Sequence, residues 1–293
     1  MNALTRRTRS VYAQVLRRRR HRVVILTEPV AASTDPAIFL IGCTRSGTSL
    51  LRRIVDSHSA VACPPESHFL IPMLATLSDH RSMVGLESMG FSRTAVVERV
   101  RQFAERFFQD YAAAAGKRRW ADKTPFYADH LDSLDELFGG CARYVMIYRH
   151  GLDVTRSIAD SLPEWVATLE APGGRREHGE VRAAAAYWAA CTGRMLAFER
   201  LHPERTLHVR YERLTADPEA EVRRIFEFLG EPFEPGVLDF NRNPHDEGLE
   251  DGKVKSTRGF EPVIGSYKRW DGGTLQAAVA EAAPSLAALG YEV

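Results

Sequence analysis

The stretch that most constrains this chain is Ile38-Phe39-Leu40-Ile41-Gly42-Cys43-Thr44-Arg45-Ser46-Gly47-Thr48-Ser49-Leu50-Leu51. Four apolar, β-favouring residues run into a loop bounded by two glycines. Beyond the loop, Leu50, Leu51, Ile54 and Val55 recur at the spacing of one helix face. The pattern predicts strand, tight loop, helix. Glycines let the loop backbone turn its N–H groups inward, and the helix presents its positive N-terminus to the same point. Such a loop binds an anion, most often a phosphate. The alternative is a plain turn joining strand to helix. Arg45, Ser46, Gly47, Thr48 and Ser49 gathered at a helix start favour the anion.

Gly42 and Gly47 have the G-x-x-x-x-G spacing of a nucleoside-triphosphate loop, but Thr48-Ser49 follow where that loop has Lys-Ser or Lys-Thr. The lysine that reaches β- and γ-phosphates is missing. A cation stands inside the loop instead, at Arg45. The loop therefore reads as built for a 5′-phosphate carrying one further charged group, with Arg45 near the point of transfer.

At 293 residues the chain can bury a large α/β core. Its 44% hydrophobic and 26% charged content is that of an ordinary soluble protein. A net charge of +1 argues against a general nucleic-acid binder. Basic residues crowd the N-terminus, as Arg6, Arg7, Arg9 and the run Arg17-Arg18-Arg19-Arg20-His21-Arg22. Residues 1–35 read as a basic extension, either a solvated helix end or an arm for peripheral membrane contact. Residues 36–293 read as one domain. No apolar run is long enough to span a membrane, and the N-terminus lacks the apolar region of a secretory signal. Cys43, Cys63, Cys141 and Cys191 are scattered and suggest neither disulfides nor zinc. They read as reduced, half-buried residues of a cytoplasmic protein.

Strands are expected at 23–26, 60–63, 144–148 and 206–211. Helices are expected at 93–115, 130–138, 152–162, 182–201, 218–229 and 274–289. Val96, Val97, Val100, Phe103, Phe107 and Phe108 read as core. Trp120 to Pro125 reads as a polar turn, 66–92 as mixed, Pro172-Gly173-Gly174 as an exposed loop, and 239–268 as a long loop, either functional or disordered. The alternation implies a parallel sheet with helices on both faces.

A second anchor is Arg149-His150-Gly151-Leu152-Asp153-Val154-Thr155-Arg156-Ser157. Arg149 leaves the end of a central strand, where open α/β sheets bind ligands. Ser157 lies two helical turns on, so a guanidinium fork and a hydroxyl converge on a second phosphate. Asp153 reads as a cap or an orienting partner for Arg149.

Together the two anchors resemble the sulfotransferases that use 3′-phosphoadenosine 5′-phosphosulfate (PAPS). The R-S-G-T-S-L-L loop is similar to the arginine form of the family's 5′-phosphosulfate loop, seen in protein-tyrosine sulfotransferases and bacterial relatives. Arg149 and Ser157 match its 3′-phosphate site. The resemblance implies a P-loop-like sulfotransferase fold, with Arg45, Ser46, Gly47, Thr48 and Ser49 on the phosphosulfate. It also points to Glu66, 21 residues after Arg45, as the general base, with His68 as the rival base. Asp122-Lys123-Thr124-Pro125 resembles the family's K-[ST]-P-like segment, which implies that Lys123 stabilises charge on the moving group. Tyr211-Glu212-Arg213-Leu214 resembles the Tyr-Glu-x-Leu segment and sets Tyr211 near the adenine. Gly265 to Trp270 resembles the C-terminal cofactor loop, with Lys268 and Arg269 reaching the 3′-phosphate and Trp270 packing beneath.

The implied reaction is in-line transfer of a sulfuryl group to a hydroxyl acceptor, without a metal, because cations neutralise the leaving phosphate. The acceptor stays open among glycan, lipid-linked sugar, phenol and secondary metabolite. Its pocket is expected from 66–92, 160–180 and 239–264, with Phe69, Met73, Trp165, His178, Arg242 and His245 as candidates. The alternatives are a nucleotide kinase on a similar fold, or a nucleotide-binding module without turnover.

Overall fold

The computed structural model describes residues 35–169, 178–246, 248 and 259–292. The basic arm up to residue 34, the expected strand at 23–26 and the Pro172-Gly173-Gly174 loop lie outside the described residues.

Five parallel strands form the centre: β1 (Ile38–Ile41), β2 (Val61–Ala62), β3 (Arg119–Asp122), β4 (Arg143–Tyr148) and β5 (Thr206–Arg210). Their order across the sheet is β2-β3-β1-β4-β5. Strand β1 lies between β3 and β4, with Ile38 opposite both Ala121 and Arg143, and Ile41 opposite Met146. A strand so placed has both faces covered, and all four residues of β1 are fully buried. That explains its unbroken apolar run. Phe39 and Ile41 enter one core with Tyr144 and Met146. Ile38 and Leu40 enter the other with Val145 and Ile147. Burying each such side chain stabilises the fold by roughly 1.5–3 kcal/mol, so a charged residue at Ile38 or Ile41 would break the sheet.

The helices are α1 (Thr48–Asp56), α2 (Leu70–Ser78), α3 (His80–Ser88), α4 (Arg93–Ala114), α5 (Leu131–Leu137), α6 (Gly151–Ser161), α7 (Pro163–Val166), α8 (Gly179–Leu201), α9 (Tyr211–Ala216), α10 (Pro218–Leu229) and α11 (Gly272–Ala288). The first core takes in buried residues of α4, α5, α6, α8 and α11, and the second those of α1, α9 and α10. Helix α10 follows the expected bounds because its signals are local. The Asp217 side chain accepts from the Ala220 N–H at 3.3 Å, Pro218 opens the helix, and Gly230 closes it in the left-handed conformation. Among the described residues, no helix is long and apolar enough to cross a membrane.

Several expectations fail. Trp120, Ala121 and Asp122, expected to open a polar turn, instead complete the buried strand β3 begun at Arg119. Arg119 sits inside because its guanidinium donates to the Leu229 carbonyl at 2.7 Å, to Glu231 Oε1 at 2.8 Å and to the Pro36 carbonyl at 3.0 Å. Local polarity hid a strand whose arginine finds its acceptors in distant parts of the chain. The mixed stretch 66–92 contains α2 and α3. Phe108 is buried, whereas Phe103 and Phe107 are half exposed, since α4 is covered on one side only. Tyr211 begins a helix rather than ending a strand. Cys43, Cys63 and Cys191 are fully buried, and Cys141 is exposed, in place of four half-buried thiols.

Candidate active site

The carboxyl ends of β1 and β4 lie side by side, and both anchors leave from there. The loop after β1 is shaped by close approach. A Cβ on Gly42 would stand 2.7 Å from Ile147 Cγ2 and from Thr48 Cγ2. Gly47 has φ +97°, and a Cβ there would stand 2.6 Å from the Tyr211 ring. Only glycine meets both demands at position 47. Arg45 also lies in the left-handed region, at φ 68°, a cost that persists where the surroundings over-determine the conformation. The first amides of α1, as at any helix start, have no partners inside the helix, and such amides are suited to an anion.

Arg45 and Arg149 meet in one cavity of about 680 Å³, lined by both. Arg149 donates from Nη1 to the Arg45 carbonyl at 2.9 Å and from Nη2 to the Val263 carbonyl at 2.6 Å. Its guanidinium lies 4.4 Å from the centre of the Tyr211 ring. Among the described residues its buried Nε has no hydrogen-bond partner, which fits a phosphate oxygen as the group it serves. Arg45 Nε donates to Ser157 Oγ at 3.0 Å. Gly47, Thr48, Ser49, Ser157, Tyr211 and Arg269 line the same cavity.

At one side stands a chain of charged groups. The Glu66 carboxylate takes Lys123 Nζ at 2.6 Å on Oε1 and His68 Nε2 at 3.0 Å on Oε2. Lys123 is fully buried and also lies 3.4 Å from Ser49 Oγ. Burial by itself would push the Glu66 carboxyl up, but the bond from His68 and the charge of Lys123 outweigh it and hold the group below its ordinary value. Both candidate bases are therefore bonded to each other, and only Glu66 also lines the cavity. Behind them Asp122 accepts from Ser67 Oγ at 2.7 Å and from the Tyr127 hydroxyl. Burial pushes Asp122 up to about 6.

Some expected residues are elsewhere. Ser46 is buried, and Lys268 is exposed; neither lines the cavity. Asp153 does not cap or orient Arg149: its carboxylate accepts from the backbone N–H groups of Gly265 at 2.8 Å and Ser266 at 2.6 Å. Of the six acceptor candidates, Trp165 alone lines the cavity. Phe69 packs on Phe107 and Phe108, and Met73 on the core. His178 meets Thr274, Arg242 pairs with Asp239, and His245 Nδ1 lies 2.7 Å from Asp56 Oδ2.

A sequence profile described as the sulfotransferase family matches residues 36–235. The chain belongs to the sulfotransferase family. Family membership makes PAPS-dependent transfer of a sulfuryl group to a hydroxyl acceptor the chemistry of this enzyme, and it does not favour the kinase or non-catalytic readings. Among curated relatives, the sulfotransferase is 29% identical to protein-tyrosine sulfotransferase A of Caenorhabditis elegans over 88% of this chain and 68% of that protein. It is also 29% identical to nodulation protein NoeE of Sinorhizobium fredii, over 69% of this chain and 51% of that protein. The chain thus spans about half the length of NoeE. Among solved structures, a sulfotransferase domain from the curacin biosynthetic pathway superposes with a TM-score of 0.62 at 22% identity, over 88% of this chain and 99% of that one. This last likeness bears on the fold.

Sequence reasoning missed two parts of this sulfotransferase site. Arg156 lines the cavity and donates to the Ser266 carbonyl at 2.6 Å. It shares one face of α6 with Asp153, Ser157 and Asp160, at helical spacings of three and four that could have found it. Pro125, Phe126 and Leu162 also line the cavity. Phe126 and Trp165 meet edge to face with ring centres 6.1 Å apart. No local signal marked Phe126, which follows the Lys123 segment in a short 3₁₀ turn.

Proposed function

We propose that the cavity holds PAPS with its phosphosulfate on the 42–49 loop and its 3′-phosphate between Arg149 and Arg269, and that Glu66 is the general base. The observation that carries this reading is the meeting of Arg45 and Arg149 in one cavity, with Glu66 and the fully buried Lys123 beside it. Bound PAPS supplies the sulfuryl group and the phosphate leaving group. Glu66 takes the acceptor's hydroxyl proton on a carboxylate oxygen, and His68 steadies that carboxylate from its other side. Arg45 and the amides at the start of α1 meet charge growing on the 5′-phosphate, and Lys123 shares its ammonium between Glu66 and that charge. Preorganised donors of this kind usually make the largest contribution to catalysis. Ser46 supports the loop from within, Tyr211 walls the nucleoside side, and Lys268 acts at longer range than Arg269.

For the acceptor we favour a phenol or another flat aryl alcohol over a glycan or lipid-linked sugar. Phe126, Trp165, Leu162 and Pro125 give the cavity an apolar, partly aromatic wall on the side of Glu66. A phenol, with a pKa of about 10, also yields its proton to a weak base more readily than an aliphatic alcohol does. The tyrosine named in the C. elegans relative is itself a phenol. The four free thiols support a reducing, cytoplasmic setting.

The test is calorimetric titration with 3′-phosphoadenosine 5′-phosphate (PAP) against ATP, followed by radiolabelled sulfate transfer to a panel of phenols, sugars and aliphatic alcohols. Tight binding of PAP and turnover on phenols are expected. Preference for ATP with magnesium would overturn the nucleotide reading, and turnover confined to sugars would overturn the acceptor reading.

A further inference from the structure

The nucleotide end of the cavity is closed by a stretch far off in the chain. Val263, Ser266 and Arg269 line it. The 3₁₀ turn carrying the last two, Ser266–Arg269, has four residues. A turn that short does not hold its own shape. It is held from outside, by the first turns of α6. Asp153 is 1% exposed. Its carboxylate accepts from the N–H of Gly265 at 2.8 Å, of Ser266 at 2.6 Å and of Tyr267 at 3.4 Å, and from Ser266 Oγ at 2.7 Å. Gly265 is left-handed at φ +74°. Successive N–H groups converging from such a turn form a backbone nest, which binds anions. Here the anion is the protein's own Asp153. Arg156 closes the other side, donating to the Ser266 carbonyl at 2.6 Å. His150 stacks on the Tyr267 ring at 4.8 Å with 10° between the planes.

We propose that Asp153 is a positioning residue for the nucleotide: by filling the nest of residues 265–267 it folds the C-terminal loop against α6 and sets where Arg269 stands. The inference rests on the nucleotide site proposed above, but the clamp is measurable without any nucleotide. One helix thereby does two jobs. Its entry carries Arg149, and its first turn carries the carboxylate that brings a second arginine to the same end of the cavity. Negative charge beside a phosphate site is otherwise unfavourable. It is tolerated here because the backbone amides, rather than the ligand, take the charge.

The full chain is compared with D153N, D153A, R269A and the double variant D153A/R269A. Amide hydrogen exchange is read without ligand, and PAP binding by calorimetry. In D153A the amides of Gly265, Ser266 and Tyr267 should exchange about tenfold faster or more, with β1 and β4 unchanged. The Kd for PAP and the KM for PAPS should rise about tenfold, as expected for the loss of charge-assisted hydrogen bonds. The kcat at saturation should stay within about threefold. D153N, which keeps one acceptor oxygen, should fall between, and it replaces D153A if that variant does not fold. D153A/R269A should bind PAP no more weakly than R269A. Wild-type PAP affinity in a folded Asp153 variant overturns the proposal. So does faster exchange across the whole sheet, which would mark general destabilisation. If the wild-type protein itself fails to bind PAP, the nucleotide reading falls, while the exchange result still decides the clamp.

Discussion

Arg45 Nε and Ser157 Oγ are 3.0 Å apart although 112 residues separate them in the chain. This one hydrogen bond joins the loop after β1 to α6. Two anchors that could have pointed into unconnected regions instead line one cavity. With PAPS placed as proposed, its phosphosulfate shares or replaces this bond, so Arg45 and Ser157 should respond to the nucleotide together.

Replacing Arg45 by alanine should lower kcat for sulfate transfer roughly a hundredfold or more, the usual cost of losing a preorganised donor. Lysine at this position should restore part of the rate, because it keeps the charge and loses the fork. Single-turnover transfer of radiolabelled sulfate reads the effect. A rate within a few-fold of wild type in R45A would remove Arg45 from the transfer step.

The choice between Glu66 and His68 is decided by comparing E66Q with H68A. If Glu66 is the base, E66Q should lose on the order of a hundredfold to ten-thousandfold in kcat. H68A should lose far less, since it removes only a partner of Oε2. The reverse ranking would make His68 the base.

The pH profile follows from the lowered Glu66 pKa. A depressed carboxyl stays ionised further into acid, so the acid limb of kcat should lie below the ordinary glutamate value of about 4.3. Its contribution to stability has the same sign: present above the unfolded pKa and lost as pH falls through the folded one. K123M removes the neighbouring charge at 2.6 Å and should move the limb to higher pH. An unmoved limb would show that Lys123 does not tune this carboxylate.

Asp122 should behave in the opposite way. Burial raises it to about 6, so the folded protein holds this proton more tightly than the unfolded chain, whose value is near 3.8. Its stabilising effect is full below the unfolded value and lost as pH rises through the folded one. D122N keeps an acceptor for Ser67 and Tyr127 but cannot ionise. Thermal melts should therefore show D122N gaining on wild type at pH 8, with the gain vanishing below about pH 4. A difference independent of pH would contradict this.

How much of the site was legible varies by residue. Arg45, Gly47 and Thr48 could be read because an anion-binding loop is a local device, with its glycines, cation and helix start within a dozen positions. Arg149 could be read because it follows a strongly apolar strand. Lys123 and Glu66 came from the family's spacing, since nothing around either one demands a charge. Asp153 was found on the right helix but given the wrong partner, as no local pattern points to a turn 112 residues away. Strand β3 was missed because Arg119 and Asp122 look like surface residues until Glu231 and Tyr127 are beside them.

The sequence by itself determined the strand–loop–helix unit, the alternation that makes a parallel sheet, and the residue types able to grip phosphate. These depend on steric and periodic rules that act over a few neighbouring residues. Only the tertiary structure decided that β1 and β4 are adjacent, that Lys123 is buried against Glu66, that Phe126 and Trp165 form a wall, and that Asp153 holds the C-terminal loop. Each of these is a contact between stretches far apart in the chain, and strand order and packing, which no local pattern encodes, select the partner.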